Sequence, residues 1–411
     1  MPVINQSRHE KAARGIVAKL RQGGYEAYFA GGWTRDYLLE RKAKDIDIAS
    51  SAPPDAVMRL FPNSRAFGSA FGVVQVRRYG LVFDVTTFRS DYDYRDGRHP
   101  EKVVFSSAKE DAARRDFTIN GIFYDPIEHR LIDFVGGRRD IGRKIIRTIG
   151  EAAARFTEDK LRMLRAVRFA CTLNFAIEEK TWRAVKRFAN GILTVSQERI
   201  RDELCEILTC PDSGRGFDLL MESGLFEQIL PEVIRPQGDF RIASARTAIA
   251  CLKKPSLPLV MSTLIYFGAE NPSDGERICR RLKLSGNQIA RVTDILSSRE
   301  FFAEPDAITK SARTRLMEKP HILEHLEFCR VRLKAEGQNA GLFTRWRKEL
   351  GSLRRNPPAP PLINGNDLTA LGCKPGPVYG KILREIEDMQ YEGLLTSRRD
   401  ALNYAIARIF N

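Results

Sequence analysis

Gly31-Gly32-Trp33-Thr34-Arg35-Asp36, followed eight residues later by Asp45-Ile46-Asp47, is the stretch on which the fold turns. Tyr25 to Ala30, just before it, reads as a short strand. On a strand, residues i and i+2 point to the same side. The run Asp45-Ile46-Asp47-Ile48-Ala49 therefore predicts a strand with two carboxylates on one side and two isoleucines toward a core. Adjacent carboxylates repel unless a cation sits between them. Hard oxygen donors of this kind suit magnesium. Asp84 lies amid Val82-Phe83-Asp84-Val85-Thr86, a strand pattern in which a buried acid needs a partner. Three carboxylates on neighbouring strands predict a catalytic set, Asp45, Asp47 and Asp84, with Asp45 and Asp47 as ligands of two magnesium ions. Two metals serve an in-line phosphoryl displacement.

The glycine pair has its own logic. Without Cβ atoms, Gly31 and Gly32 let the backbone approach a ligand closely. They precede a helical stretch, Trp33 to Leu39, whose start favours anions, and Arg35 adds a cation. Together these suit a nucleoside triphosphate. Alone, the pattern equals a tight turn before a solvated acidic strand; the spacing and Asp84 weigh against that.

Working outward, residues 1 to 22 read as a helix ended by Gly23-Gly24. Pro53-Pro54 opens another helix that ends before Pro62. Val73 to Arg78 and Leu81 to Phe88 flank Tyr79-Gly80 as a hairpin. Asp91 to Pro100, polar, charged and aromatic, reads as a loop, and Val103 to Phe105 resumes a strand. From about residue 151 the patterns are almost all helical. Asn356 to Pro361 is a proline-rich, extended linker. The fold class is α+β: a small mixed-sheet head, residues 1–148, then an all-α neck (149–232), body (233–355) and tail (363–411).

Composition bounds the rest. The 411 residues are 43% hydrophobic and 29% charged, a folded and non-membrane composition. The longest apolar stretch, Leu257 to Ala269, is too short to span a bilayer, and the N-terminus lacks a signal-peptide core. A cytoplasmic protein with no membrane partner is expected. Seven scattered cysteines without a CxxC pair fit neither a disulfide framework nor a zinc site. A net charge of +15 points to a polyanion partner.

Gly31 to Asp36 with Asp45-Ile46-Asp47 resembles the class II CCA-adding enzyme and bacterial poly(A) polymerase family, of the polymerase β superfamily. Arg114-Arg-Asp-Phe-Thr-Ile-Asn120 is similar to the family's second motif, and Asp133 to Asp140 to the link out of its catalytic head. Glu158-Asp-Lys-Leu-Arg162, continuing through Arg165 to Ala170, resembles its nucleotide-selecting motif. Ser196 to Leu204 resembles its last conserved stretch. The resemblance is dense from about residue 29 to 233 and thin beyond. It implies nucleotide transfer to an RNA 3′ end, with CTP and ATP as substrates and tRNA as partner. It further implies nucleotide-binding roles for Gly31, Gly32, Arg35, Arg114, Arg115, Asp116, Glu158, Asp159, Arg162 and Arg165.

Base choice has a physical reading. Glu158 to Phe169 reads as one helix on which Asp159 and Arg162 share a face. An aspartate accepts hydrogen bonds and an arginine only donates. That pair fits the amine and ring nitrogen of cytosine or adenine, and clashes with guanine or uracil. By the resemblance, Asp116 takes the ribose 2′-OH, and the Arg89–Pro100 segment, with Asp93, Arg98 and His99, is the flexible loop used for the final A. Arg138, Arg139, Arg143, Lys144 and Arg147 form a basic run suited to phosphates. Gly372 to Gly380 opens a helix that is expected to hold an RNA phosphate. His321-Ile-Leu-Glu-His325 matches a zinc-peptidase pattern but has no third ligand, and no zinc is expected. No protein partner is evident. Three readings stay open: CCA addition, A-only or poly(A) addition within the same family, and a non-catalytic RNA-binding protein.

Overall fold

The chain is described by a computed structural model over residues 7–43, 45–66, 72–94, 100–234, 239–253, 255–269, 274–299, 302, 308–339, 341–374 and 376–410. It forms two compact units, Met1–Pro231 and Glu232–Asn411.

The first unit begins with α1 (Arg8–Gln22), which Ser7 opens through a capping box with Glu10. One stripe of it, Ala12, Ala13, Ile16, Val17 and Leu20, is buried, as its spacing predicts. There follow β1 (Ala27–Ala30), α2 (Gly32–Leu38), β2 (Asp47–Ser50), α3 (Pro54–Leu60), β3 (Arg65–Ala66), β4 (Val73–Arg78) and β5 (Leu81–Thr87). β6 (Arg89–Tyr94) and β7 (Pro100–Phe105) come next, then α4 (Ala108–Ala113), β8 (Ile122–Asp125) and β9 (Arg130–Asp133). The main sheet runs β3-β4-β5-β2-β1-β8-β9. Only β2 and β5 pair in parallel, Ile48 beside Val85. One face of the sheet packs Phe29, Ile48, Val74, Val76, Phe83 and Val85 against α1 and α3. The other packs Tyr28, Ala49, Phe88 and Phe123 against Ala108 and Ala112 of α4.

One sequence expectation holds here and one changes. The β4–β5 hairpin is as read: Tyr79 and Gly80 both take positive φ, 52° and 76°, the left-handed pair that a tight two-residue hairpin turn demands. The loop expected from Asp91 is strand as far as Tyr94 and again from Pro100. β6 and β7 form an antiparallel ribbon of their own, Arg89 opposite Phe105 and Tyr94 opposite Pro100, with 95–99 outside the described residues.

A helical region follows: α5 (Gly137–Arg143), β10 (Ile145–Ile146), α6 (Ala152–Glu158), α7 (Leu161–Leu173), β11 (Ala176–Ile177), α8 (Glu179–Phe188), α9 (Gln197–Leu208) and α10 (Ser213–Glu222). β10 and β11 pair in parallel, a small strand element inside a stretch that the sequence reads as helical. α7 buries Leu161, Leu164 and Val167, the apolar positions its periodicity marks.

Among the described residues, the second unit is helical throughout. One of its cores gathers Phe302, Leu316, Ile322, Leu326, Trp346 and Leu350. Another gathers Ile363, Leu368, Ile382, Ile386 and Ala401. The linker at Asn356–Pro361 carries no helix, and Gln390 grips it. Its Nε2 donates to the carbonyls of Ala359 and Pro360 at 3.2 and 3.0 Å, and its Oε1 accepts from Leu362 N at 3.0 Å.

Candidate active site

β1 delivers the chain into Gly31 at φ 66°, ψ −134°, a region open in practice only to glycine. A Cβ there would stand 3.2 Å from Asp47 Oδ2. Gly31 thus brings backbone and carboxylate together at the start of α2.

Asp47 opens β2, and Asp45 lies two residues before it, so the predicted strand starts later than Asp45. The alternation still holds: Asp45 and Asp47 are exposed, while Ile46 and Ile48 are buried. Asp84 is exposed as well, because Phe83 and Val85 on either side of it face the core. The expectation of a buried Asp84 fails on simple strand alternation. Partial desolvation raises the Asp47 carboxyl above the ordinary range; Arg115 opposes this, and repulsion from Asp84 and Asp45 adds to it. The three acids therefore share one neighbourhood. Among the described residues, no three His, Cys, Asp or Glu side chains close into a ready metal cage. An open set of hard oxygens with unrelieved mutual repulsion fits magnesium, which keeps several waters and takes one or two carboxylates plus substrate phosphates.

Beside Asp47 opens a cleft of about 570 Å³, lined by Gly31, Gly32, Arg35, Asp47, Arg114, Arg115, Asp116, Asp159, Arg162 and Arg165 among others. Ten predicted positions thus meet in one place. Asp45, Asp84 and Glu158 are not on its wall. Arg35 donates to Asn120 Oδ1 at 2.9 Å and pairs with Asp36 at 2.8 Å. Arg114 and Arg115 share a single buried carboxylate, Asp111, at 2.7 and 2.9 Å. Asp116 accepts from Phe117 N at 2.7 Å, Asn120 Nδ2 at 3.0 Å and Arg165 Nε at 2.8 Å. Burial alone would raise its carboxyl, but Arg165, Asn120 and the Phe117 amide outweigh that and hold it at about 2.

The predicted single helix from Glu158 to Phe169 is broken. α6 ends at Glu158, Asp159 is extended at φ −146°, ψ 106°, and α7 starts at Leu161. Asp159 and Arg162 consequently form no ion pair with each other. Asp159 Oδ1 accepts from Leu161 N at 3.0 Å, and its Oδ2 accepts from Arg199 at 2.8 Å. Arg162 is held by Glu158 at 2.5 Å and by the carbonyls of Arg155 and Arg114. These take three of the guanidinium's five N–H groups, and two remain for a ligand. Glu158 stands behind Arg162, bound also to Arg155 at 2.9 Å.

Other predicted positions fall elsewhere. Asp93 lies on β6, and Arg98 and His99 lie outside the described residues. Arg138, Arg139, Arg143 and Lys144 are exposed, whereas Arg147 is spent on Asp140 and Glu178, both at 3.0 Å. The Gly372–Gly380 stretch leads into a helix, Pro377–Glu392, with proline in its first turn. His325 is buried, with Nδ1 2.6 Å from Ser298 Oγ and Nε2 3.1 Å from Asp294 Oδ2, and Glu324 is engaged by Arg291 and Ser256. The zinc pattern is an ordinary packed helix. Sequence reasoning missed Asp111, Asn120, Arg168, Arg199 and Glu203. Arg168 pairs with Glu203 at 2.7 Å. All but Asp111 lie within the motif stretches already quoted, so proximity in sequence was the available signal.

Residues 27–147 match the family model described as the poly A polymerase head domain, and residues 174–235 match that of a probable RNA and SrmB-binding site of polymerase A. The CCA-adding enzymes of Geobacillus stearothermophilus and Geobacillus sp. are 46% and 47% identical to this chain, over 57% and 53% of their own lengths. That of Bacillus cytotoxicus is 34% identical over 400 residues, 95% of this chain and 96% of the relative. The chain belongs to the CCA-adding enzyme family. The family fold extends over 98% of the chain. The crystal structure of Bacillus stearothermophilus CCA-adding enzyme in complex with CTP matches at a TM-score of 0.78 and 31% identity, over 98% of each chain. Thermotoga maritima CCA-adding enzyme complexed with tRNA shares the fold at a TM-score of 0.67 and 22% identity, over 96% of this chain and 94% of that one.

Proposed function

We propose that this chain adds C and A to the 3′ end of tRNA, with CTP and ATP as donors and pyrophosphate as product. The observation that carries the reading is a single cleft shared by Asp47, the arginines at 114 and 115, and the Asp159–Arg162 pair. Support also comes from the CTP complex of the Bacillus stearothermophilus relative.

The tRNA 3′-hydroxyl attacks the α-phosphorus. A P–O bond forms, the α–β anhydride bond breaks, and pyrophosphate leaves. Asp45 and Asp47 would hold two magnesium ions, with Asp84 assisting. When bound, magnesium would supply a lowered hydroxyl pKa and charge neutralisation on the leaving group. Arg35, Arg114 and Arg115 offset the triphosphate charge, and Gly31-Gly32 lets the backbone close on it. Asp116, fixed by Arg165, meets the ribose 2′-OH. Asp159 accepts from the exocyclic amine of C or A while Arg162 donates to the ring nitrogen. A site built on such pairing rejects G and U because buried groups would be left unpaired.

In this reading residues 1–148 are the catalytic head and 149–232 the neck with the base-reading pair. Residues 233–355 are the body, and 363–411 a tail that grips tRNA away from its 3′ end. The work is cytoplasmic; among the described residues, no helix is long and apolar enough to cross a membrane.

The test is extension of tRNA lacking CCA with CTP, ATP or both. Two C additions from CTP alone, and complete CCA from the mixture, are expected. Incorporation of A alone would replace the reading with A-addition, and no incorporation by folded protein would leave an RNA-binding protein.

A further inference from the structure

Aspartate and arginine three residues apart on a helix normally pair. Asp159 and Arg162 do not: Asp159 is extended ahead of α7, and its carboxylate is engaged from outside the segment. Arg199, forty residues further on in α9, reaches across so that its Nη2 donates to Asp159 Oδ2 at 2.8 Å. On the other side, Glu158 and two carbonyls hold Arg162. The Arg199 and Asp159 side chains are 24% and 17% exposed, so their bond is only partly screened by water. Asp159 also has a second cation at hand, since its charge is felt at Arg165. Released from Arg199, the carboxylate would have Arg162 and Arg165 as alternative partners. Either choice would consume an acceptor or a donor that a base needs.

We propose that Arg199 is a specificity-positioning residue, which acts through Asp159 by holding the acceptor away from Arg162 so that both edges stay open to the incoming base. The proposal rests on the reading that Asp159 and Arg162 select the nucleotide. Arg199 itself lines the cleft, but the role assigned to it is exerted through Asp159. An arginine here only donates, so it also leaves Asp159 a pure acceptor with a spare lone pair on each oxygen. A purely structural tie between α9 and the α6–α7 turn would cost stability without changing the order in which nucleotides bind.

The test uses the full chain and its Arg199→Met, Arg199→Lys, Asp159→Ala and Asp159→Ala/Arg199→Met variants. Binding of CTP and of UTP is measured by equilibrium dialysis with magnesium. Addition from each nucleotide to tRNA lacking CCA gives kcat and KM, and thermal melting reports folding. Arg199→Met is expected to lower the CTP-over-UTP ratio by about tenfold, mostly through KM for CTP, the scale on which a lost polar pairing acts. Arg199→Lys should retain part of the ratio. The double variant should be no worse than Asp159→Ala, because residues that act through one another are non-additive. If Arg199→Met keeps the full ratio while Asp159→Ala loses it, Arg199 has no such role and the base-reading pair stands. If Asp159→Ala itself keeps the ratio, the base reading falls and this inference with it. Should Arg199→Met fail to fold, Arg199→Lys decides: a ratio equal to that of the unaltered chain at lowered melting temperature makes Arg199 merely structural.

Discussion

Arg165 closes its guanidinium on Asp116, Nη2 to Oδ2 at 2.7 Å, and so fastens helix α7 to the segment that carries Arg114 and Arg115. The carboxylate is 9% exposed and the bond is charge-assisted twice over, through Nε and Nη2. The residues that would select a base and those that would face the triphosphate are thereby held in one frame.

Removing the cation from that pair should be costly. Arg165→Met leaves a buried carboxylate without its main partner, a change worth about 3 kcal/mol. The urea midpoint should fall accordingly, and Arg165→Lys should restore part of it. A midpoint equal to that of the unaltered chain would show that the pair contributes nothing to stability.

Acid should act on the same pair. The Asp116 carboxyl is held at about 2 against an ordinary 3.8. Its contribution is therefore complete above pH 3.8 and is lost as the pH falls through 2. The shift corresponds to about 2 kcal/mol. Asp116→Asn should be less stable at neutral pH and should lose less on going to acid. Parallel acid limbs for the two proteins would contradict the assignment.

Asp47 behaves in the opposite sense. Its carboxyl is raised, so its ionised form is disfavoured in the fold until a cation arrives. Asp47→Asn should fold at least as well as the unaltered chain without divalent ions. It should lose about a thousandfold in nucleotide transfer, the several kcal/mol that a metal site supplies. Magnesium with CTP should raise the melting temperature of the unaltered chain and not of the variant. Normal turnover by Asp47→Asn would sink the catalytic reading.

His325 supplies a test in the second unit. Burial holds its ring down at about 4 from an ordinary 6.5, despite Asp294. The unfolded chain takes up a proton from pH 6.5 downward while the fold resists until about 4, so stability drains across that window. The loss is about 3 kcal/mol. His325→Gln should flatten the slope between those limits. Added zinc should leave the melting temperature of the unaltered chain where it was; a rise would reopen the metal reading of His321 and His325.

What was legible in the sequence was local. Gly31 and the Tyr79-Gly80 turn announce themselves because backbone geometry demands particular residues there. The Asp45–Ile48 alternation carries its own two-fold period. Asp84 lies between apolar neighbours that suggest burial, but strand alternation turns it outward. The β6 strand was hidden because Arg89-Ser-Asp-Tyr-Asp-Tyr94 is polar, charged and aromatic and shows no apolar alternation. The break at Asp159 follows no proline or glycine. It is sustained by Arg199 from forty residues away and by the Arg155–Glu158 pair, and long-range partners leave no mark on local periodicity. Gln390 on the linker is another such partner.

The parallel pairing of Ile145-Ile146 with Ala176-Ile177 has a practical meaning for anyone who would shuffle modules between relatives. Main-chain bonds from Ala176 N to Lys144 O and from Glu178 N to Ile146 O cross the proposed head–neck boundary near residue 148 at 2.8 and 2.9 Å. Phe117 and Phe169 lock rings 5.7 Å apart beneath the same seam. A chimera spliced there would unzip both halves, so any graft that swaps nucleotide preference must carry the sheet and α7 together.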